Sequence, residues 1–439
     1  MTTPPRSQLN LTFVLLAIFS ATLLRVTAQP IPAYEATALD TRQEGKPGVT
    51  VRISDPIIVA VASKPEPWGY FQFPGITRRP DGTVAVKWNM KIDSVMMYGK
   101  PGSAYSISAD NGKTWSPQRR EPAVVRETGA VGDLTLPNGD RLEIGTPEAL
   151  KAKTLKLPEP VGTIIDDYTK AKRFFYRVSK LPPALQGVYL RRLPKGATNW
   201  QIEHATLEDP ELLRYSLFGL LPVVWWGDLR LAADGSIIAG MYPGYTLSPT
   251  GAKNLRMNVS FYRSTDEGHS WKLQGRIYYQ PDAKTDPLAA KRAGYTEPAF
   301  EILADGTFLC VLRTTDGAGN GPLYTSRSQD QGVTWSKPEA ITNTGVLPRL
   351  LRLSNGVIVL SAGRPGVQLR FNTDGQGKRW TEPFELLPYK DSTDQVTCGL
   401  TGLLATGPNR FLVVYSDLKH PEGNELRKAI IAREVIVAP

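Results

Sequence analysis

An eight-residue segment that occurs three times constrains the fold of this chain more than any other feature. The copies read SADNGKTW, STDEGHSW and SQDQGVTW, and they end at Trp115, Trp271 and Trp335. The Asp can accept hydrogen bonds from backbone N–H groups of a tight turn, the Gly suits a left-handed backbone, and the Trp can cover the hairpin. Degenerate copies end at Trp200 and Trp380. The repeat therefore predicts a series of similar β-hairpins.

A second pattern, a two-residue turn followed by an apolar strand, recurs along the chain. Asp-Gly and Asn-Gly supply the positive φ angles that tight hairpin turns require. The six turns are Asp81-Gly82, Asn138-Gly139, Asp234-Gly235, Asp305-Gly306, Asn355-Gly356 and, more loosely, Pro408-Asn409. Short β-rich runs fill the remaining chain without a helical period. We therefore expect an all-β protein, and six hairpins predict a six-bladed β-propeller.

The predicted propeller occupies residues 29–439 as one domain. Its blades are expected at residues 70–118, 129–203, 223–275, 294–340, 346–385 and 396–437. A strand within 49–62 should close the last blade, because a propeller leaves no free sheet edge. Residues 146–186 are then an insertion in the second blade.

The start of the chain has the pattern of a signal peptide. Arg6 is followed by an apolar run over residues 11–24 and by Val26-Thr27-Ala28, which predicts cleavage after residue 28. An uncleaved N-terminal anchor is the alternative. Since no later stretch reaches the roughly 18 apolar residues of a membrane span, we expect a secreted or periplasmic monomer with no span in its mature form.

The composition argues against several other classes of protein. The net charge is +10, but the basic residues are scattered, which disfavours nucleic acid and suits acidic glycans. Two cysteines, Cys310 and Cys398, rule out a disulfide framework and are expected to be small core residues. His204, His269 and His420 lack metal-ligand spacing. We predict no metal and no cofactor.

In a propeller, residues at equal distances from each turn glycine reach the same depth of the central funnel. Seven residues after the glycine, or eight in the last case, come Asn89, Thr146, Tyr242, Arg313 and Arg364. Nine or ten residues before it come Gln72, Trp225, Trp226 and Glu297. Arginines, a carboxylate and aromatic rings at one mouth suit an anionic or polyhydroxylated ligand, so carbohydrate is the expected partner.

The repeated segment resembles the Asp box, or BNR repeat, of the sialidase (neuraminidase) superfamily, whose members are six-bladed propellers. That motif is structural and is shared with non-enzymatic propellers, so it bears on the fold and not on activity. The resemblance extends at the level of pattern over the mature chain. It implies that Glu297 corresponds to the glutamate that raises the basicity of a nucleophilic tyrosine. It also implies that Arg313 and Arg364 correspond to the second and third of three carboxylate-binding arginines, and Asp93, by position, to the acid/base aspartate.

Three positions depart from the sialidase pattern. Gln72 stands where the family has its first arginine, Leu400 where it has the nucleophilic tyrosine, and Ser416 where it has the glutamate that steadies the first arginine. Losing the arginine and its acidic partner together is physically coherent, because either alone would be a buried unpaired charge. The chain is therefore not expected to be a standard sialidase, and either Tyr295 or water must replace the nucleophile.

Three functions fit these residues. The first is an exo-acting glycosidase that removes a terminal sugar. In one version of this hypothesis the sugar is acidic. The catalytic residues of this glycosidase would be Asp93, Glu297 and Tyr295, and its substrate-binding residues Gln72, Asn89, Trp226, Tyr242, Arg313 and Arg364. The second is a non-catalytic glycan-binding propeller, and the third is a polysaccharide lyase with a Tyr or Lys base. An acid and a base that face each other across the funnel would favour the glycosidase.

Overall fold

The computed structural model describes residues 37–40, 48–120, 133–166, 169–247, 253–314, 320–391 and 393–438. The predicted signal peptide lies outside these residues. The described chain is all-β apart from short 3₁₀ turns, of which the one that borders the site spans Val95–Met97. Among the described residues, no helix has the length and apolar character needed to cross a membrane.

The first strands of the chain belong to two different sheets. They are β1 (Thr37–Asp40), β2 (Thr50–Ile53), β3 (Ile57–Val61), β4 (Tyr70–Arg78), β5 (Val84–Met90), β6 (Ser103–Ser108) and β7 (Arg119–Arg120). Strands β4 to β7 pair in sequence order as a four-stranded antiparallel sheet. Strands β1 to β3 instead join the sheet formed by the end of the chain.

The next segment forms a second sheet and two accessory sheets. Its strands are β8 (Leu134–Thr135), β9 (Arg141–Ile144), β10 (Leu150–Lys151), β11 (Gly162–Ile165), β12 (Lys172–Arg177), β13 (Val188–Leu193), β14 (Gln201–Glu208), β15 (Leu213–Ser216) and β16 (Leu220–Leu221). Strands β8, β9, β13 and β14 pair in that order. The accessory sheets are β11-β12-β15 and β10-β16, so the predicted insertion is completed by residues after β14.

The third sheet is joined edge to edge with the second. Its segment contains β17 (Trp226–Leu231), β18 (Ile237–Tyr242), β19 (Thr246–Leu247), β20 (Lys253–Asn254), β21 (Val259–Ser264) and β22 (Ser270–Ile277). Strands β17, β18, β21 and β22 pair in that order, while β19 and β20 form a separate ribbon. Parallel pairing of β14 with β22, with Thr206 opposite Ser270, makes one eight-stranded sheet of the two.

The last strands complete three further sheets. They are β23 (Tyr295–Ile302), β24 (Phe308–Thr314), β25 (Leu323–Ser328), β26 (Glu339–Ala340), β27 (Val346–Arg352), β28 (Ile358–Gly363), β29 (Val367–Asn372), β30 (Phe384–Leu387), β31 (Thr401–Gly407), β32 (Arg410–Glu422) and β33 (Glu425–Ala438). Strands β23 to β26 and β27 to β30 form two four-stranded sheets. In the final sheet β31, β32 and β33 are followed by β2 and β1, and β3 also pairs with β33.

The first strands of the groups contact one another in a continuous series. Strand β4 packs beside β31, β31 beside β27, β27 beside β23, β23 beside β17, and β17 beside β8. The series returns to its start through Thr77 of β4, whose hydroxyl donates to Asp133, just before β8, at 2.9 Å. Arg141 of β9 also binds both Asp133 and Thr77.

Apolar side chains fill the space between neighbouring sheets. Val414 and Ile430 of the last sheet pack with Trp88 of the first, and Phe261 of the third packs with Phe300 of the fourth. Burial of such side chains contributes roughly 1.5–3 kcal/mol each. Both cysteines, Cys310 and Cys398, are buried and free.

The repeated segments form the turns that their chemistry predicts. The turn glycines Gly82, Gly139, Gly235, Gly306 and Gly356 have φ angles between 82° and 92°. In the first repeat, Asp110 accepts the backbone N–H of Thr114 at 2.9 Å, and the Trp115 indole donates to the carbonyl of Gly112 at 3.1 Å. The second and third repeats make the same bonds. The sequence alone thus specifies these turns.

Candidate active site

A cavity of about 440 Å³ lies where the first strands of several sheets meet the loop between β5 and β6. Five of the predicted site residues line it: Asn89, Asp93, Trp226, Tyr242 and Glu297. They come from four strands of three different sheets, β5, β17, β18 and β23, and from one loop. Asn89 and Glu297 are 208 positions apart in the chain. Thr146, which occupies the matching position after the second turn, lines it too.

Three of the first strands carry the same irregularity where they reach this cavity. Phe73, Glu297 and Leu347 each precede a proline and have φ angles of 55°, 47° and 49°. The strand register shifts at each of the three places. A bulge of this kind bends a strand and redirects a side chain, and all three side chains line the cavity. Each lies nine residues before its turn glycine.

Glu297 is held in place by Arg313 of the adjacent strand β24. One guanidinium nitrogen, Nη1, lies 2.7 Å from both carboxylate oxygens. The Arg313 side chain is only 6% exposed and does not line the cavity, whereas Glu297 does. Arg313 therefore orients the carboxylate from behind and leaves the other face of Glu297 to the cavity.

Asp93 is the second carboxyl group of the cavity. The residue is accessible from the cavity, yet the surrounding protein desolvates its carboxyl enough to raise the pKa above its usual value. A hydrogen bond from the Trp68 indole, at 3.4 Å, and the charge of Arg364 lower the pKa in part, and the charge of Glu297 raises it further. A carboxyl group with a raised pKa keeps its proton to higher pH and is suited to donate it.

The backbone near Asp93 is fixed by bonds within the first sheet. The amide of Asn89 donates to the carbonyls of Gly69 and Lys91 at 2.6 and 2.7 Å. Gly69 has a φ of 99°, and a Cβ at this position would lie 2.6 Å from the backbone nitrogen of Asp93. The position of the Asp93 backbone thus depends on a close approach that only glycine permits.

One wall of the cavity is aromatic. The rings of Tyr98 and Trp226 make an edge contact with centroids 5.1 Å apart, and Trp226 contacts Tyr242 at 6.0 Å. The Trp226 indole donates to the Thr146 hydroxyl at 2.8 Å. Burial raises the pKa of both tyrosines above the usual range, and the charge of Glu297 adds to this effect at Tyr242. Aromatic faces of this kind pack against the apolar face of a sugar ring.

Other predicted residues lie outside the cavity lining. Gln72 is fully buried, accepts the Gly69 N–H at 3.1 Å, and has a side-chain nitrogen with no hydrogen-bond partner in the described residues. Arg364 donates from Nε to the carbonyl of Cys398 at 3.1 Å. Tyr295 is buried in the core between two sheets, where its hydroxyl donates to the carbonyl of Gln280. The structure therefore does not bring the Tyr295 phenol to the cavity.

The structure also places residues in the lining that the sequence interpretation did not assign to it. Arg349 lies two positions after Leu347 and lines the cavity, with a long bond of 3.4 Å to Asp228. The same pair borders a second cavity of about 210 Å³. Phe73 lines the first cavity where Gln72 was expected. A strict spacing of nine residues before the turn glycine would have selected Phe73, and a spacing of seven would have selected Arg349.

Trp225, the neighbour of Trp226, is buried in the hydrophobic core and does not line the cavity. Its ring packs against Tyr262 and Trp271 with centroids 5.9 and 5.0 Å apart. Within the described part of the chain, no three His, Cys, Asp or Glu side chains are grouped so that they could hold a metal ion.

Comparisons with known proteins concern the fold. No protein-family model matches the chain. No curated protein sequence matches it either. Among solved structures, the fold resembles that of an arabinanase. A Dyadobacter fermentans protein of unknown function is 19% identical, with a TM-score of 0.58 over 88% of this chain and 99% of that one.

Two enzymes illustrate the likeness. A Penicillium chrysogenum α-L-arabinanase, solved with arabinobiose, is 15% identical, with a TM-score of 0.50 over 90% of this chain and 98% of its own. The NanB sialidase of Streptococcus pneumoniae is 15% identical, with a TM-score of 0.47 over 88% of this chain and 71% of its own.

Proposed function

We propose that this protein is a secreted or periplasmic glycoside hydrolase that removes a terminal sugar and that it is distinct from the standard sialidases. The observation that carries the proposal is that Asp93 and Glu297 line one cavity. The raised pKa of Asp93 suits an acid. Glu297 is ion-paired with Arg313 and suits a base or an electrostatic stabiliser.

We infer that the six groups of four strands are the blades of a propeller. The continuous series of contacts among their first strands supports this inference, as does the link between Thr77 and Asp133. Strand β2, from the start of the chain, supplies the fourth strand of the last group beside β33. Such pairing joins the two ends of a ring and covers the free sheet edge.

The proposed chemistry divides the two carboxyl groups by environment. Asp93 would protonate the glycosidic oxygen as the bond breaks, which requires it to hold a proton at the working pH. Glu297 would activate the attacking water or stabilise the positive charge that develops on the sugar ring. Arg313 orients Glu297 through Nη1. Leu400, which stands in the sequence where the sialidase pattern has its nucleophilic tyrosine, lines the cavity. Water is therefore the proposed attacking group.

The sugar would bind against Tyr98, Trp226 and Tyr242. Arg349, which lines the cavity and lies 3.4 Å from Asp228, would donate hydrogen bonds to the oxygens of the sugar. Its charge is close enough to lower the pKa of Tyr242. Planar donors of this kind bind hydroxyl or carboxylate oxygens.

The alternative functions are less well supported by the same residues. A lyase needs a Tyr or Lys base, but burial raises the pKa of Tyr98 and Tyr242 and so opposes their ionisation. Lys91 donates from Nζ to the carbonyl of Met97 at 2.8 Å. A non-catalytic binding protein would not need a desolvated carboxyl group in the same cavity as a second carboxylate.

A screen of the purified protein tests the proposal. The wild type and an Asp93→Asn, Glu297→Gln double variant are incubated with a panel of aryl glycosides, arabinosides and acidic glycans, and products are identified by mass. We expect a monosaccharide product from at least one substrate with the wild type and none with the double variant. Glycan binding without any product would instead establish a non-catalytic propeller, and an unsaturated product would establish a lyase.

A further inference from the structure

The loop that carries Asp93 and borders the cavity exposes two large apolar side chains. Ile92 is 56% exposed and Met96 is 62% exposed. Ile92 and Met97 line the cavity together with Asp93. Exposed apolar groups that cluster beside a cavity mark binding surfaces, because water contact with them is unfavourable.

This loop is held in a fixed conformation. The 3₁₀ turn Val95–Met97 is capped by Ser94, whose hydroxyl accepts the Met96 N–H, and Val95 is buried beneath it. The ammonium of Lys91 donates to the carbonyl of Met97 at 2.8 Å. Val95 and Lys91 therefore anchor the loop, whereas the Met96 side chain remains exposed to solvent.

The position of these side chains relative to the acid determines what they can contact. A general acid lies within hydrogen-bond reach of the oxygen that it protonates. The atoms beyond that oxygen belong to the leaving group, and they must pass the residues that flank Asp93. Ile92 and Met97 offer these atoms methyl, methylene and thioether groups. The hydroxyls of a sugar in this place would lack hydrogen-bond partners among these side chains, whereas an apolar group would be stabilised by removal of its surface from water.

We propose that Ile92, Met96 and Met97 form a leaving-group subsite that takes an apolar aglycone, an aryl or alkyl group, in preference to a second sugar. Ile92 and Met97 form its wall and Met96 extends it outward. The inference rests on the proposed function, because it takes Asp93 as the acid. Its binding component, however, can be measured without turnover.

Methionine methyl groups report on the subsite directly. The chain has six methionines, and of these Met90 and Met241 are buried in the core. Protein labelled with ¹³C at the methionine methyls is titrated with 4-nitrophenol, with glycerol as the polar control. We expect saturable shifts of the Met96 and Met97 resonances, assigned with single Met→Leu variants, and none of Met90 or Met241. Unchanged Met96 and Met97 resonances, or equal shifts at all methionines, would overturn the subsite.

A kinetic comparison tests the same subsite in catalysis. With the glycosyl group that the panel identifies, the ratio of kcat/KM for the octyl glycoside to that for the methyl glycoside measures use of the subsite, since the two leaving groups have similar basicity. An Ile92→Ser, Met96→Ser double variant should lower this ratio roughly tenfold, a change in the range of lost apolar contacts in a pocket. Ile202→Ser is the matched control, because Ile202 is 69% exposed on β14 and does not line the cavity.

The two arms separate the possible failures. If the panel yields no product but Met96 and Met97 shift with 4-nitrophenol, the apolar subsite stands and the proposed hydrolase does not. If turnover is found and the octyl-to-methyl ratio is the same in the wild type and the double variant, the subsite is wrong while the hydrolase stands. A wild type that prefers a disaccharide of the same glycosyl group to the octyl glycoside also contradicts the inference.

Discussion

Nη1 of Arg313 lies 2.7 Å from each of the two carboxylate oxygens of Glu297. The two residues are 16 positions apart in the chain, on adjacent strands, and only Glu297 reaches the cavity. In this charged pair the arginine is buried and the carboxylate borders the cavity. The arginine therefore holds the carboxylate in one orientation, and the carboxylate stays accessible to a ligand.

Replacing Glu297 by Gln should separate catalysis from binding. Loss of a positioned base or stabilising charge typically lowers turnover by about a hundredfold to ten-thousandfold, while the similar shape of Gln should leave KM nearly unchanged. The measurement is kcat and KM on the substrate found in the panel. Glu301→Gln is the matched control, because Glu301 also pairs with an arginine, Arg230, but does not line this cavity. Activity of Glu297→Gln within about twofold of wild type would make Glu297 structural.

The pH dependence should follow the proton on Asp93. If the protonated carboxyl is required, kcat/KM falls as pH rises through its raised pKa. The Trp68 indole lowers this pKa by its hydrogen bond, so Trp68→Phe should raise the pKa and move the alkaline limb of the profile to higher pH. Trp380→Phe is the control, since that indole donates to Gly377 instead. A shift to lower pH in Trp68→Phe would contradict the role of Asp93.

Gly69→Ala should disturb the acid through its backbone. The added Cβ would lie 2.3 Å from the carbonyl oxygen of Lys91 and 2.6 Å from the nitrogen of Asp93. Displacement of a catalytic group by an ångström can cost about a hundredfold in rate, and we expect a loss of this size in kcat/KM. Gly82→Ala is matched for backbone strain, with a φ of 83° and no atom within 4 Å of the added Cβ. Equal activity of the two variants would show that the Gly69 contact does not position Asp93.

A fluorogenic sialoside should be hydrolysed poorly or not at all. An arginine–carboxylate contact is worth about 1.5–3 kcal/mol, and Gln72 neither carries that charge nor lines the cavity. Leu400, which lines the cavity, cannot form a covalent bond to the sugar. The control is the preferred substrate from the panel under the same conditions. Sialidase-level turnover that is abolished by Arg313→Ala would show that the alignment of Gln72 and Leu400 is wrong.

Asp330 of the third repeat should make stability depend on pH in the acid range. Hydrogen bonds from Thr334 and Ser328 lower its pKa from 3.8 to about 2. Because the folded pKa lies below the unfolded one, the stabilisation is complete above about pH 4 and is lost as pH falls towards 2. Urea unfolding at pH 7 and pH 3 should therefore show a smaller difference between wild type and Asp330→Asn at pH 3. Val333→Ala, in the same turn and without a titrating group, should show an equal difference at both pH values.

Much of this architecture could be predicted from local chemistry. Asp-Gly and Asn-Gly turns and the Ser-x-Asp-x-Gly pattern act over fewer than ten residues, so their hydrogen bonds form wherever the hairpin forms. Counting seven positions from a turn glycine located Asn89, Thr146 and Tyr242 in the cavity lining, because a regular strand has a fixed rise and a period of two. The same count also selected Arg313, which pairs with Glu297 and does not line the cavity.

Counting positions before the turn was less reliable, since three of the first strands, β4, β23 and β27, contain a bulge. The shift of register at Phe73-Pro74 moves Gln72 into the core and Phe73 into the cavity. The same shift at Leu347-Pro348 precedes Arg349, which the sequence interpretation did not select. A bulge changes which side chain faces a cavity by one position, and its place depends on packing between sheets.

The sequence by itself determined the all-β class, the repeated hairpins and their turns, and the set of strands from which a site could be built. Only the tertiary structure decided which residues share the cavity, that Tyr295 is in the core, and that residues after β14 complete the sheets of the insertion. It also decided the raised pKa of Asp93, because desolvation, the Trp68 indole and the charges of Arg364 and Glu297 all come from residues distant in the chain. The conformation of a turn is determined by neighbouring residues, whereas the burial and electrostatic environment of a group depend on every chain segment that packs around it.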